Sequence, residues 1–72
     1  MYDKSIFGKR VKELRKEKQL KQSELAAILG LKTSMISEIE NGKYTTTVEK
    51  LIILADYFNV TIDYLVGRTN KQ

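Results

Sequence analysis

One internal stretch, QSELAAILGLKTSMISEIEN from Gln22 to Asn41, constrains the fold of this chain more than any other. Apolar residues recur at helical spacing on both sides of Gly30, which predicts two short helices, over about residues 22–29 and 33–40. Gly30 suits the left-handed turn that ends the first helix, because a Cβ disfavours that conformation. Ala26 and Gly30 are the small residues expected where the two helices approach most closely. The segment therefore predicts a helix, a tight turn and a second helix held outward on a rigid support.

The second helix of this pair has an apolar side and a polar side. Ile36 and Ile39 anchor it to the core, so the other positions must project toward solvent or a groove. These outward positions are Thr33, Ser34, Ser37 and Glu38. A helix displayed in this way fits the DNA major groove, where hydroxyl groups donate to or accept from base edges and Glu38 is suited to a cytosine amino group. The pattern predicts sequence-specific binding of double-stranded DNA. For Glu38 the alternative is a solvated acid that makes no base contact.

Several classes of protein are disfavoured by what the chain lacks. Its 72 residues contain no cysteine and no histidine, so a disulfide framework, a zinc site and a histidine acid or base are excluded, and we expect no enzyme, no metal and no cofactor. No apolar run approaches membrane-spanning length and the start does not read as a signal peptide, so we expect a cytoplasmic protein without a membrane partner. We expect no separate sensor domain at this length, and no small-molecule effector is evident.

The remaining periodicity predicts an all-α fold, a compact bundle of five helices. Ser5 is the expected N-cap of a first helix over about Ile6 to Lys18, while Thr47 and Thr61 are the expected caps of the last two helices. The fourth helix should run from about Val48 to Phe58, and the fifth should end near Gly67. One domain is therefore expected over residues 1–67, followed by a frayed tail over residues 68–72.

Positive charge is concentrated at the start of the chain. Residues 1–21 hold eight lysine and arginine residues against three acids. Lys9, Lys12 and Lys16 lie at helical spacing away from the apolar positions of the first helix. One interpretation is a solvated face that keeps the protein soluble. The other is a long-range attraction for phosphate that needs no direct contact.

Three stretches, LRKEKQLKQSELAAILGL, ISEIENGK and LADYFNVTIDYLVG, give the chain a resemblance to a known family. It resembles the helix-turn-helix domains of phage repressors and Cro, of the xenobiotic-response-element type, over about Phe7 to Gly67. The resemblance implies a five-helix, lambda-repressor-like domain that binds a palindromic operator as a homodimer and represses transcription. The alternative is an antitoxin-like or other partner-binding module with accessory DNA binding.

The resemblance also implies roles for individual residues on the DNA side. Gln22 matches a glutamine that bonds a DNA phosphate and braces the second helix of the pair. Asn41 and Lys43 match the loop that touches backbone phosphate, although Asn41 also suits a plain helix cap. Lys32 is placed to reach a phosphate or a guanine, with an exposed lysine as the alternative. The outward positions of the third helix match those that face base edges.

Away from the DNA side, the resemblance implies an ion pair and a subunit interface. Arg15 and Glu40 match an arginine and a glutamate that form a partly buried structural ion pair. The end of the fourth helix and the fifth helix match a dimer surface. The candidates there are Ile53, Tyr57, Tyr64 and Val66.

Several features depart from the family pattern, among them Gln19 in place of a helix-ending glycine and Thr46 in place of a loop proline. Lys21 stands at the N-cap of the second helix, where its side chain accepts no backbone N–H, so this helix start is expected to be less well satisfied. The base-facing positions carry no arginine for a bidentate guanine contact, which favours A·T steps or indirect readout.

Overall fold

A computed structural model describes residues 3–72 of the chain and places five α-helices in that range. The helices are α1 Lys4–Glu17, α2 Gln22–Leu29, α3 Thr33–Glu40, α4 Val48–Phe58 and α5 Ile62–Leu65. The predicted all-α five-helix architecture is confirmed, and α2, α3 and α4 have the predicted bounds. Across residues 3–72, no helix is long and apolar enough to cross a membrane.

The first helix begins earlier than predicted, because Asp3 and not Ser5 is its N-cap. The Asp3 carboxylate accepts hydrogen bonds from the backbone N–H groups of Ser5 at 2.9 Å and Ile6 at 3.2 Å. A carboxylate at this position satisfies two amides that have no partner within the helix, and it also complements the positive end of the helix dipole. Thr47 and Thr61 cap α4 and α5 as predicted.

A single hydrophobic core lies at the centre of the domain and takes side chains from all five helices. Its largest fully buried members are Phe7, Val11, Leu25, Ile36, Ile39, Leu54 and Leu65. Burial of each such side chain stabilises the fold by roughly 1.5–3 kcal/mol relative to exposure. Because α3 contributes two of these residues, its core-facing side is held in place by packing.

α1 approaches the end of α3 closely at Gly8, a position that the sequence pattern did not single out. A Cβ on Gly8 would overlap the carbonyl oxygen of Ile39 and lie 3.0 Å from that of Glu40. Gly30, by contrast, has open space around it and is required for its positive φ of 68°. The expectation that Gly30 marks a close approach was therefore wrong, whereas its role in the turn is confirmed. Ala26 is buried in the core, 2% exposed.

The C-terminal tail, residues 68–72, is held against the domain rather than frayed. The Arg10 guanidinium donates to the carbonyl oxygens of Tyr64 and of Thr69, the latter at 2.6 Å, and to Asn70 Oδ1 at 2.8 Å. It also lies 4.1 Å from the centroid of the Tyr64 ring. Arg10 was not singled out from the sequence, since carbonyl oxygens distant in the chain leave no sequence signal.

Candidate nucleic-acid interface

The turn between α2 and α3 is built largely from backbone hydrogen bonds. Gly30 takes the left-handed conformation, and the next amide, that of Leu31, donates to the Ala26 carbonyl at 2.9 Å. Lys21 makes no side-chain cap at the start of α2, as its chemistry predicts. The Glu24 carboxylate compensates in part, because it accepts the Lys21 backbone N–H at 2.7 Å. The Gly30 conformation and the Leu31 hydrogen bond shape the turn from α2 into α3.

The polar side of α3 is accessible. Ile36 is 0% and Ile39 2% exposed, while Thr33 and Ser34 are exposed and Ser37 and Glu38 are half-buried at the edges of the helix. Within residues 3–72, none of the four polar side chains has a hydrogen-bonding partner. Their donors and acceptors are therefore available to an external ligand, with Thr33 and Ser34 the most prominent.

The two ends of α3 present further polar groups. Lys32 precedes the helix at its N-cap, is exposed and makes no cap hydrogen bond. At the other end Asn41 is the C-cap, and Gly42 follows with a φ of 82°. The Lys43 amide returns to the Glu38 carbonyl at 3.0 Å, which holds the start of the next loop against the helix. The side chains of Asn41 and Lys43 are exposed.

Beneath α3, Arg15 and Glu40 form the predicted buried ion pair. Arg15 Nε lies 2.6 Å from Glu40 Oε2, and a second guanidinium nitrogen donates to Oε1 at 3.1 Å. The relative exposure of the side chains is 11% for Arg15 and 2% for Glu40. Arg15 also donates to the Leu20 carbonyl at 2.8 Å. This bidentate pair ties α1 to the end of α3.

The Arg15 guanidinium is held firmly in its charged form. Hydrogen bonding to Glu40 raises the pKa of Arg15, burial lowers it, and the Glu40 charge raises it further, so the net direction is upward. Stability from a base with a raised pKa is present below its ordinary pKa and is lost only as pH rises through the folded value. The contribution of Arg15 therefore persists throughout the physiological range.

Gln22, at the start of α2, also contacts the Arg15–Glu40 ion pair through Glu40. Its Nε2 donates to Glu40 Oε1 at 3.1 Å, so this side chain connects α2 to the end of α3. A glutamine amide carries two N–H donors, and Glu40 takes one of them. The other has no partner within residues 3–72, and Gln22 is only half-buried.

The basic row on α1 lies partly on the α3 side of the domain. Lys12 is four residues after Gly8 and three before Arg15, and both of those residues touch the end of α3. Residues at this spacing share a helix face, so Lys12 lies toward α3 with its head exposed. Lys9 and Lys16 extend the same row. Within this row, Lys12 is thus the lysine whose helix face borders the end of α3.

The candidates for a dimer surface have different accessibilities. Ile53 and Tyr57 are each 39% exposed, and Tyr64 is half-buried beneath Arg10. Val66 is only 7% exposed and belongs to the core, so its proposal as an interface residue was wrong. Ile62, 36% exposed, was overlooked in the sequence because a single apolar residue in a four-residue helix gives no periodic pattern.

Within residues 3–72, no group of three or more Asp, Glu, His or Cys side chains is placed to hold a metal ion. What the geometry defines is a helix-turn-helix unit: α2 buttresses α3, and the polar face of α3 is open at the surface. This is the architecture of a DNA-binding domain.

Comparison with known proteins agrees with this class. The helix-turn-helix family model matches residues 11–65, so the chain belongs to that family of DNA-binding transcriptional regulators. It is 38% identical over 65 residues to the ImmF control region 10 kDa protein of Bacillus phage phi105, covering 90% of this chain and 72% of the phage protein. It is 37% identical over 62 residues to the antitoxin PezA of Streptococcus pneumoniae, covering 86% of this chain but 39% of that protein.

A solved structure agrees as well. The crystal structure of the P22 c2 repressor protein in complex with a synthetic operator superposes with a TM-score of 0.81 and 25% identity. The match covers 89% of this chain and 97% of the repressor chain. The lambda-repressor-like fold implied by the sequence resemblance is thus confirmed.

Proposed function

We propose that this protein binds a palindromic operator as a homodimer, in the bacterial or phage-infected cytoplasm, and represses transcription by blocking promoter access. The observation that supports this most is the open polar face of α3, whose hydroxyl groups have no partner within residues 3–72. α3 enters the major groove, and Thr33, Ser34, Ser37 and Glu38 face base edges there. Short hydroxyl side chains suit thymine methyl groups and base-edge donors or acceptors.

Phosphate contacts set the register of α3 on the duplex. Gln22 offers its second amide N–H to a phosphate while the first remains on Glu40. Lys32 precedes α3, and Asn41 and Lys43 follow it, so polar groups for phosphate contacts are offered at both ends of the helix. The α1 lysines Lys9, Lys12 and Lys16 are exposed and add a long-range, salt-dependent attraction for DNA. Such contacts position the protein without reading sequence.

Dimerisation uses the exposed apolar residues at the junction of α4 and α5. Ile53 and Tyr57 lie one helical turn apart on α4, and Ile62 begins α5. Tyr64 contributes its partly exposed ring. A two-fold dimer of this kind places its two α3 helices about 34 Å apart, one turn of DNA, and therefore requires a palindromic site.

The test is a binding selection on random duplexes at two salt concentrations. We expect a palindromic motif and an affinity that falls steeply as salt rises. Ser34→Ala should change the selected bases, whereas Lys43→Gln should weaken binding to all sequences alike and reduce the salt dependence by about one counterion. A selection that returns no motif from a folded protein would refute the proposal.

The similarity to the antitoxin PezA supports a second candidate, a partner-binding module with accessory DNA binding. This candidate predicts a stable complex with a second protein when the chain is isolated from its native host. The same isolation should yield the chain alone if it acts as an independent repressor.

A further inference from the structure

A surface cavity lies between the recognition helix α3 and the beginning of α4. Its volume is about 380 Å³, within the range of roughly 300–1,000 Å³ that is typical of small-molecule sites. Leu31, Met35 and Ile39 form its apolar part, and residues 45–47 with Lys50 form its polar part. None of the proposed DNA contacts lines the cavity, although Lys43 lies just before its threonine loop.

The apolar part of the cavity is incompletely covered by the domain itself. Ile39 is 2% exposed, but Leu31 and Met35 are only half-buried and pack against the edge of the core. Contact with an alkyl group would remove this apolar surface from water, which favours binding. The cavity is a shallow groove that is more open than enclosed, so such a group has a direct route of entry.

The polar part carries a positive charge that no protein group neutralises. Within residues 3–72, the Lys50 ammonium has no carboxylate within 4.0 Å. Thr47 Oγ1 accepts the Lys50 backbone N–H at 3.3 Å, whereas the hydroxyl groups of Thr45 and Thr46 have no partner in the same range. A free cation and two free hydroxyl groups beside an apolar surface match a carboxylate attached to an alkyl chain.

We propose that this cavity binds a small amphipathic monocarboxylate and that its occupation weakens DNA binding. The alkyl chain lies against Leu31 and Met35, and the carboxylate accepts hydrogen bonds from Lys50 and the threonine hydroxyls. The second part rests on the proposed function. A bound carboxylate lies next to the loop that begins at Lys43, where it repels DNA phosphates, and it contacts α3 through Met35.

The first experiment omits DNA and titrates the full isotope-labelled chain with sodium octanoate, followed by NMR. We expect saturable shifts at Leu31, Met35 and residues 45–50. The neutral isostere octanamide should bind at least about threefold more weakly, because it lacks the ionic contact. Lys50→Gln should remove that preference, and Lys71→Gln, a charge-matched change in the tail, should retain it. Met35→Phe, which fills the apolar part, should weaken both ligands.

Three results would overturn the cavity assignment. They are equal affinity for octanoate and octanamide in the wild-type chain, shifts centred on other residues, and inorganic phosphate binding at the same residues as tightly as octanoate. The last would make the cavity a simple anion site. Circular dichroism of Lys50→Gln and Met35→Phe confirms that each variant is folded.

The second experiment adds the duplex obtained from the binding selection. With octanoate at ten times its dissociation constant, the apparent dissociation constant for DNA should rise about tenfold in the wild-type chain, and less in Lys50→Gln. Unchanged DNA affinity at saturating octanoate would refute the coupling. Failure to bind any duplex in the absence of octanoate would instead refute the proposed function, and the cavity would still be judged by the DNA-free titration.

Discussion

The Arg15–Glu40 pair offers the sharpest prediction about stability. Replacing Arg15 by methionine leaves the Glu40 carboxylate, 2% exposed, with Gln22 as its remaining side-chain donor. Replacing Glu40 by leucine leaves the Arg15 guanidinium, which is 11% exposed and keeps its bond to the Leu20 carbonyl. The stranded glutamate is the more deeply buried ion and has less access to water, so we expect Arg15→Met to be the more damaging change.

The magnitude follows from the loss of one partner of a buried pair, which costs about 3–5 kcal/mol. Arg15→Met should lie at the upper end of this range and Glu40→Leu at the lower end. For a domain of this size, the corresponding fall in Tm is at least about 12 °C. The double variant should recover to within about 1 kcal/mol of the wild-type chain, because no uncompensated charge remains.

Urea unfolding followed by circular dichroism, at one fixed protein concentration, measures the free energy of unfolding of the wild-type chain, the two single variants and the double variant. Gln22→Ala serves as a control that removes one hydrogen bond to Glu40 without stranding a charge, and should cost about 1 kcal/mol. Single variants that each cost under about 1 kcal/mol, or a double variant as unstable as the worse single, would show that neither change leaves an uncompensated buried charge. DNA affinity collapsing in a stably folded double variant would show that the pair is more than structural.

Three other changes test separate parts of the structure. Gly8→Ala should destabilise the domain by about 1–3 kcal/mol in thermal unfolding, because the added Cβ overlaps the α3 backbone. Within an ordinary helix the same change stabilises by about 1 kcal/mol, and that result would contradict the close packing at Gly8. Ile53→Lys should raise the dimer dissociation constant at least about tenfold in analytical ultracentrifugation. Val48→Lys, at the far end of α4, should leave it unchanged. Equal effects of the two changes would show that the dimer interface is not centred on Ile53. Arg10→Gln should speed hydrogen exchange in the C-terminal tail and lower the free energy of unfolding by about 1.5–3 kcal/mol. Lys9→Gln is the neutral control. Unchanged exchange in the tail would show that Arg10 does not hold it.

The parts of the fold predictable from sequence are those determined by local chemistry. Gly30 forms its turn as expected, because the left-handed conformation is a property of one residue. Thr47 and Thr61 cap their helices, since a hydroxyl group reaches an amide three residues on. Helix periodicity likewise identified the sides of α3 that are buried and exposed. Asp3, which the sequence analysis did not consider, and not Ser5 caps the first helix.

The parts that could not be predicted depend on distant contacts. Gly8 is required by the α3 backbone, which only the folded arrangement brings against α1. Val66 was predicted to lie on the surface, but α5 ends at Leu65, and the Val66 side chain is buried in the core. Arg10 holds the C-terminal tail through acceptors more than fifty positions away, the nearest in sequence being the Tyr64 carbonyl. The cavity beside α3 combines separate segments and has no sequence motif.

Cysteine protection measures whether the polar face of α3 enters the duplex. The chain has no cysteine, so single variants Ser34→Cys on α3 and Asp56→Cys on the exposed side of α4 each provide one thiol. With saturating selected duplex, alkylation should slow at least about tenfold at position 34 and remain unchanged at position 56. Unchanged alkylation at position 34 together with protection at position 56 would contradict the account.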